Sequence, residues 1–294
     1  ENAIICFSKY LQGNPDDLET LFSISILHKD KGNFEKATEY LKLIAKVDLE
    51  NTELWNQLSD CYIQMGKFEK AMDCIRRSLK ISPKQSKAIY YMGLCYQGLL
   101  QFEKAIDFYK KYAKADSKDA EVLHRIGVCY HELMDPEMAV VFYNKAVQAN
   151  PGKFKTWHNL GIIYYNMASY DKSVECLKKA LVIDNTDSAT WFTIGTSYYK
   201  LENFEHAEVN YKEALKLAPD NQNYLLSLAL VYEQLGNLES SVEVLESIIN
   251  NHPENAEVWS NLARLYIALK NNQQATRCYE KLQELRPELS AEIK

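Results

Sequence analysis

Apolar residues recur along this chain at helical spacing, in two stretches that together repeat every 34 residues without an insertion. With Leu18 as position 1, position 4 holds Leu21, Trp55, Ile89, Leu123, Trp157, Trp191, Leu225 and Trp259. Position 7 holds Ile24, Leu58, Met92, Ile126, Leu160, Ile194, Leu228 and Leu262. Position 11 holds His28, then Tyr62, Tyr96, Tyr130, Tyr164, Tyr198, Tyr232 and Tyr266. Positions 4, 7 and 11 share one face of a helix, so these residues predict the buried stripe of a first helix. The aromatics in it read as core rather than as a cofactor box.

Two further positions stay small. Position 20 holds Ala37, Ala71, Ala105, Ala139, Ser173, Ala207, Ser241 and Ala275, and Ala3 continues the series backwards. Position 8 holds Ser25, Ser59, Gly93, Gly127, Gly161, Gly195, Ala229 and Ala263. Glycine inside a helix costs about 1 kcal/mol relative to alanine, so the four glycines predict a packing reason, a close approach of paired helices.

Punctuation falls in phase. Asn33, Asp135, Ser169, Asn203, Asn237 and Asn271 stand at position 16 as candidate N-caps of a second helix, with Pro136 at a first helical position. Asn51, Asp119, Asp187, Asn221 and Asn255 stand at position 34, ahead of the next first helix. Position 32 holds Pro83, Pro151, Pro219, Pro253 and Pro287, where proline ends a helix, while Ser117 and Asn185 replace it. No strand signal competes and no Gly/Ser-rich linker divides the array. Residues 1–17 read as the second helix of an incomplete unit. Eight full units follow over 18–289, starting at 18, 52, 86, 120, 154, 188, 222 and 256, and 290–294 begin another. Both ends fall inside a unit, which reads as a segment of something longer.

Composition narrows the function. Lys+Arg number 34 against 40 Asp+Glu, a net charge of −6, which speaks against general nucleic-acid binding because phosphate capture needs a basic field. No apolar run approaches the length of a membrane span. Seven cysteines exclude a full disulfide framework. Cys61, Cys95 and Cys129 fall at position 10; Cys6, Cys74, Cys176 and Cys278 fall at position 23. They read as reduced core thiols of a cytoplasmic protein, with a redox pairing of Cys61 and Cys74 as the alternative.

Trp157-x-x-Leu160-Gly161-x-x-Tyr164 with Ser173, Leu177 and Ala180, and Trp191-x-x-Ile194-Gly195-x-x-Tyr198 with Ala207, Tyr211, Ala214 and Pro219, resemble the tetratricopeptide repeat (TPR). The resemblance spans the whole chain. It implies an all-α fold, a right-handed α-solenoid of antiparallel helix pairs whose first helices line a concave groove. It implies binding of an extended peptide or a helix of another protein there, and no intrinsic catalysis. The residues agree on the last point: they contain no Gly-rich phosphate loop, H-E-x-x-H, G-x-S-x-G or kinase signature, and no cofactor site is expected.

In that pattern positions 2, 5, 6, 9, 12 and 13 face the groove. The candidate binding residues on them are Tyr90, Tyr91, His124, Arg125, His131, Lys155, His158, Asn159, Tyr165, Phe192, Tyr199 and Lys200. Tyr90, Tyr91, Tyr165, Phe192 and Tyr199 exceed what the repeat core needs, so they suit either a partner or the packing of the groove floor. Local basic charge (Lys87, Arg125, Lys155 and Lys200 against Glu121 and Glu132) fits a partner segment with acidic and aromatic or apolar residues. The carboxylate clamp of co-chaperone TPR domains is absent, since no lysine stands at position 5 and no asparagine at position 9. Asn159 and Asn261 are isolated rungs of the asparagine ladder seen in the O-linked N-acetylglucosamine transferase array. His124 and His131, seven residues apart, stand roughly 10 Å apart along a helix, too far to share a metal. Three readings follow: a non-enzymatic protein-binding scaffold, a substrate-recruiting module of a larger enzyme such as a glycosyltransferase, and self-assembly through the array ends.

Overall fold

The computed structural model describes residues 2–114 and 118–286; Ser117, Pro287 and 290–294 lie outside them. The described residues form helices and turns with no strand. The chain divides into two compact units, 1–150 and 151–294, although no change of composition marks the division.

The first unit runs α1 (Asn2–Gly13), α2 (Leu18–Asp30), α3 (Phe34–Ile44), α4 (Thr52–Gln64), α5 (Phe68–Ile81), α6 (Ser86–Gly98), α7 (Phe102–Ala113), α8 (Ala120–Glu132) and α9 (Pro136–Ala149). The second runs α10 (Phe154–Asn166), α11 (Tyr170–Ile183), α12 (Ser188–Lys200), α13 (Phe204–Leu217), α14 (Gln222–Gln234), α15 (Leu238–Asn251), α16 (Ala256–Ala268) and α17 (Asn272–Leu285). Each even-numbered helix pairs with the helix that follows it, and each unit is an α-solenoid of such pairs. First helices of neighbouring pairs also touch, α4 with α6, and α10 with α12 with α14.

The caps follow the side chains available. At position 34 Asn51, Asp119, Asp187, Asn221 and Asn255 each accept from first-turn backbone N–H groups, as does Asp17 ahead of α2. At position 16 Asp135, Asn203, Asn237 and Asn271 cap in the same way. Asn33 and Ser169 make no side-chain cap bond, contrary to the expectation from their type.

The glycines at position 8 have a definite partner. A Cβ on Gly93 would lie 2.5 Å from the ring of Tyr109, on Gly127 2.7 Å from Tyr143, on Gly161 2.5 Å from Leu177, and on Gly195 2.6 Å from Tyr211. All four partners occupy position 24 and all are essentially inaccessible to solvent. Where position 8 is Ser25, Ser59 or Ala229, position 24 is Leu41, Ile75 or Leu245, so a larger residue on one helix accompanies a smaller one on the other. In the eighth repeat Ala263 faces Tyr279, which stays half-buried.

Neighbouring repeats are joined by two recurring bonds. The Trp Nε1–H at position 4 donates to the position-32 carbonyl of the preceding repeat: Trp55 to Leu49 at 2.9 Å, Trp157 to Pro151 at 2.9 Å, Trp191 to Asn185 at 3.0 Å, Trp259 to Pro253 at 2.8 Å. The position-25 side chain meets the position-11 tyrosine of the next repeat, as Lys110 to Tyr130 and Lys178 to Tyr198, both at 2.8 Å. In the last pair the direction reverses, and the Tyr266 hydroxyl donates to Glu246 at 2.5 Å.

The turn inside each pair needs a left-handed residue at position 15. Gly32, Gly66 and Gly236 supply it at φ 68–74°, but Leu100, Met134, Ala168, Glu202 and Lys270 adopt φ 54–57° with a Cβ in place.

Two predictions follow from these contacts. Gly127→Ala gains helix propensity but drives a Cβ into the Tyr143 ring, an overpacking cost of about 1–3 kcal/mol that wins, so the variant is less stable. Adding Tyr143→Leu restores part of the loss by reproducing the Ala229/Leu245 pairing; strictly additive thermal or denaturant melts for the two changes would disprove the contact. Met134 is 86% exposed, so its side chain holds little to offset a left-handed backbone. Met134→Gly is expected to raise stability by about 0.5–1 kcal/mol in urea unfolding.

Candidate functional site

In the first unit, charged and polar side chains at groove positions of the first helices are already bonded to each other. Lys29 Nζ donates to Gln57 at 2.6 Å and to Asp60 at 3.1 Å, Gln57 Nε2 donates to Glu53 at 2.7 Å, and Lys87 Nζ meets Glu53 at 2.9 Å. This series crosses α2, α4 and α6. Burial works against ionisation of Glu53, but hydrogen bonds from Lys87 and Gln57 hold its carboxyl below the ordinary value.

Farther along, Arg125 Nε donates to the Tyr90 hydroxyl at 3.0 Å, and the guanidinium pairs with Glu121 at 2.8 Å. Burial raises the Tyr90 phenol even against the attraction of Arg125, and it raises Tyr91 too. The Arg125 guanidinium is held above its usual value despite burial, because Tyr90, Tyr109 and Glu121 surround it. Tyr90 lies 6.0 Å from the rings of Tyr91 and Tyr109 and 5.5 Å from Tyr112. The structure thus brings Tyr90, Tyr91 and Arg125 together. His124 is only 8% exposed and packs 5.4 Å from Tyr143, inside the helix pair. His131 is half-buried in the last turn of α8.

In the second unit, Thr190 Oγ1 donates to Asp187 at 2.5 Å, so His158 Nδ1, 2.7 Å from that oxygen, is the donor to it. This places the His158 proton on Nδ1. Burial lowers the His158 pKa, with Asp187 opposing. Its ring stacks on Phe154 at 5.5 Å. Phe192 stacks on Tyr224 at 4.4 Å and leans on Tyr211 at 5.3 Å. Tyr165 meets Tyr170 at 5.6 Å, and Tyr199 meets Phe204 at 5.5 Å. Asn159 is half-buried; Lys155 and Lys200 are exposed.

These contacts account for the surplus aromatics. At position 5, Tyr90, His124 and Phe192 each rest on the position-24 tyrosine of their own repeat, which fills the space above a position-8 glycine. They are the floor of the first-helix face.

A cavity of about 540 Å³ opens on that face in the second unit, lined by Phe192, Leu226, Leu230, Glu233, Asn261 and Arg264 among others. These residues occupy positions 5, 5, 9, 12, 6 and 9 of the sixth to eighth repeats. Arg264 pairs with Glu233 at 3.2 Å across it. Of the aromatic candidates only Phe192 reaches this cavity. The signal for the rest was a pair of leucines, Leu226 and Leu230, at positions that face outward in the repeat pattern.

The comparisons agree with the geometry. A family model described as the Cilia and flagella-associated protein 70 C-terminal domain matches residues 92–292, and one described as the Tetratricopeptide repeat protein 21 C-terminal ARM domain matches residues 1–154. The chain belongs to the tetratricopeptide-repeat family. A TPR repeat-containing protein from Cytophaga hutchinsonii has a C-terminal part similar over 79% of this chain and 95% of its own, at a TM-score of 0.70 and 15% identity. YrrB, described as a TPR protein with an unusual peptide-binding site, is similar over 63% of this chain and 95% of its own, at a TM-score of 0.55 and 18% identity. These two likenesses establish fold alone. The General transcriptional corepressor trfA of Dictyostelium discoideum is 31% identical over 65 residues, which span 22% of this chain and 5% of that protein.

Among the described residues no His/Cys/Asp/Glu group could hold a metal ion, and no helix is long and apolar enough to cross a membrane. All seven thiols are free, and only Cys6 is exposed. Burial pushes Cys61, Cys74, Cys176 and Cys278 up to about 11 and Cys95 and Cys129 to about 12, so none of the six is a ready nucleophile.

His28 replaces the position-11 tyrosine in the first repeat. Its ring is buried and stacked on Tyr40 at 5.6 Å, and its Nδ1 has no hydrogen-bond partner. Burial first, then Lys36 and Lys31, lower its pKa below 6.5. The unfolded chain therefore binds that proton more readily, and the array loses stability as pH falls below 6.5. His28→Tyr is expected to raise Tm and to flatten that loss, leaving the part due to His158. A variant whose Tm declines with acid as steeply as the wild type would show that His28 is not the titrating group.

Proposed function

We propose that this TPR array is a non-enzymatic scaffold that holds extended segments of partner proteins on its first-helix faces. The observation that carries the reading is the cavity of about 540 Å³ in the second unit, where Phe192, Leu226 and Leu230 offer apolar contact beside the charged pair Glu233 and Arg264. Apolar surface supplies affinity there, and the charged pair at the edge orients the segment. YrrB, described as a TPR protein with an unusual peptide-binding site, supports peptide binding by a TPR array by analogy.

In the first unit the Tyr90–Arg125–Glu121 group is the corresponding candidate, with Tyr91 beside it. Of the remaining candidates, Lys155 and Lys200 offer exposed charge and Asn159 a backbone-binding amide. We further propose the division of 18–289 into eight repeat units, each first helix beginning at its position 1.

Selection of peptides from a display library against the purified chain tests the reading. The peptides recovered are expected to lose binding by at least tenfold on Leu230→Asp and Arg264→Ala, both at exposed residues, with the circular-dichroism melt preserved. Peptides that bind these variants as tightly as the wild type would place recognition elsewhere.

A further inference from the structure

On the second-helix side of the first unit, a cavity of about 320 Å³ opens between α3, α4 and α5. Its floor is built from Trp55, Leu58, Tyr62 and Cys74, each no more than 8% exposed, with Arg77 over the Trp55 indole at 4.7 Å and Lys42 over the Tyr62 ring at 5.9 Å. Its rim is basic: Lys42, Lys46, Lys70 and Arg77 surround it, and Asp73 is the one carboxylate. Asp73 is tied to Arg76 at 2.9 Å, which neutralises it. The three lysines and Arg77 join no ion pair among the described residues, whereas Lys29, Lys87, Lys179, Lys212 and Lys216 all do. A neighbouring cavity of about 300 Å³ shares Trp55 and Arg77 and adds Lys80, with Glu50 at its edge.

Position 23 differs between the second repeat and the two that follow it. In the third and fourth repeats Phe108 and Phe142 occupy that position and stack on Tyr96 and Tyr130 at 5.3 and 5.5 Å. In the second repeat the residue is Cys74, a smaller side chain beside Tyr62 and Trp55, both of which remain buried. The eighth repeat provides an internal comparison, since Cys278 stands at position 23 and Trp259 at position 4. There too a cavity opens, of about 160 Å³. Glu246, Asn250 and Gln274 replace Lys42, Lys46 and Lys70, and Tyr266 donates to Glu246. The slot therefore folds without the lysines, and their grouping around the second-repeat cavity is not a packing requirement.

We propose that this pocket binds an acidic peptide segment of a partner protein, whose carboxylates meet Lys42, Lys46 and Lys70 around its rim. Its volume suits one or two side chains. Its cations gather around one pocket instead of tracking along a face, and the chain as a whole carries −6, which disfavours a polyanion such as RNA. The site lies on a different face from the one assigned to partner segments above and does not depend on it.

Fluorescence anisotropy with a labelled synthetic peptide, Asp-Glu-Glu-Leu-Phe-Asp-Glu-Asp, tests the assignment on the full chain. The triple variant Lys42→Glu, Lys46→Asn, Lys70→Gln carries the eighth-repeat residues and changes only exposed positions, so it retains the wild-type melt. Its affinity is expected to fall at least tenfold. Equal binding by the triple variant, or no binding by the wild type, would overturn the proposal. So would tighter binding of a labelled oligo-dT of equal charge than of the peptide.

Discussion

The contact between position 8 of the first helix and position 24 of the second sets the geometry of every pair. A glycine there lets a whole tyrosine ring lie against the facing backbone, as Tyr109, Tyr143 and Tyr211 do with no exposure to speak of. Close packing of this kind tolerates neither an added methyl nor a void, so residue size on one helix constrains size on the other. Ser25, Ser59 and Ala229 obey the same constraint with Leu41, Ile75 and Leu245, while Tyr279 opposite Ala263 stays half-buried. What the small-residue series at positions 8 and 20 contributes is room for that ring.

The first-helix face grows out of the same contact. The Tyr109 hydroxyl donates to Gln97 at position 12 at 2.7 Å, and the Tyr211 hydroxyl to Thr196 at position 9 at 3.2 Å. A core residue of the second helix thus reaches through the pair and anchors side chains on the first-helix face. Position-5 aromatics rest on the same rings. The indole–carbonyl and position-25 to position-11 bonds then transmit placement to the next pair within each unit. A solenoid built this way is stabilised by nearest-neighbour interfaces, which leaves the outward positions free to differ between repeats.

How much of this was legible in the sequence depends on whether a feature recurs with its residue type. The helix pairs were, because Trp, Gly, Tyr and Ala return to fixed positions. The left-handed residue at position 15 was not, because turn closure forces Leu100, Met134 and Glu202 into a conformation their side chains do not favour. The aromatics from Tyr90 to Tyr199 were conspicuous as a surplus. Sequence spacing could not tell a ring facing solvent from one lying on a neighbouring tyrosine, and contact with Tyr109, Tyr143 or Tyr211 claims several of them for the floor. The second-unit cavity escaped notice for the converse reason. Leu226 and Leu230 look ordinary in a leucine-rich helix, and only their angular placement brings them to the open face.

Cysteine usage links the two halves of this argument. At position 10 a thiol is a small fully buried filler, and Cys61, Cys95 and Cys129 behave alike. At position 23 it stands where other repeats place Tyr40, Phe108 or Phe142, so the same residue type subtracts a ring from the second-helix side. The consequence depends on what surrounds the gap. Around Cys278 a tyrosine–glutamate hydrogen bond closes part of it; around Cys74 lysines line it and Arg77 lies over the Trp55 indole at 4.7 Å. The repeat's regularity and the differences between its faces come from the same slots, differing in which residue fills the slot.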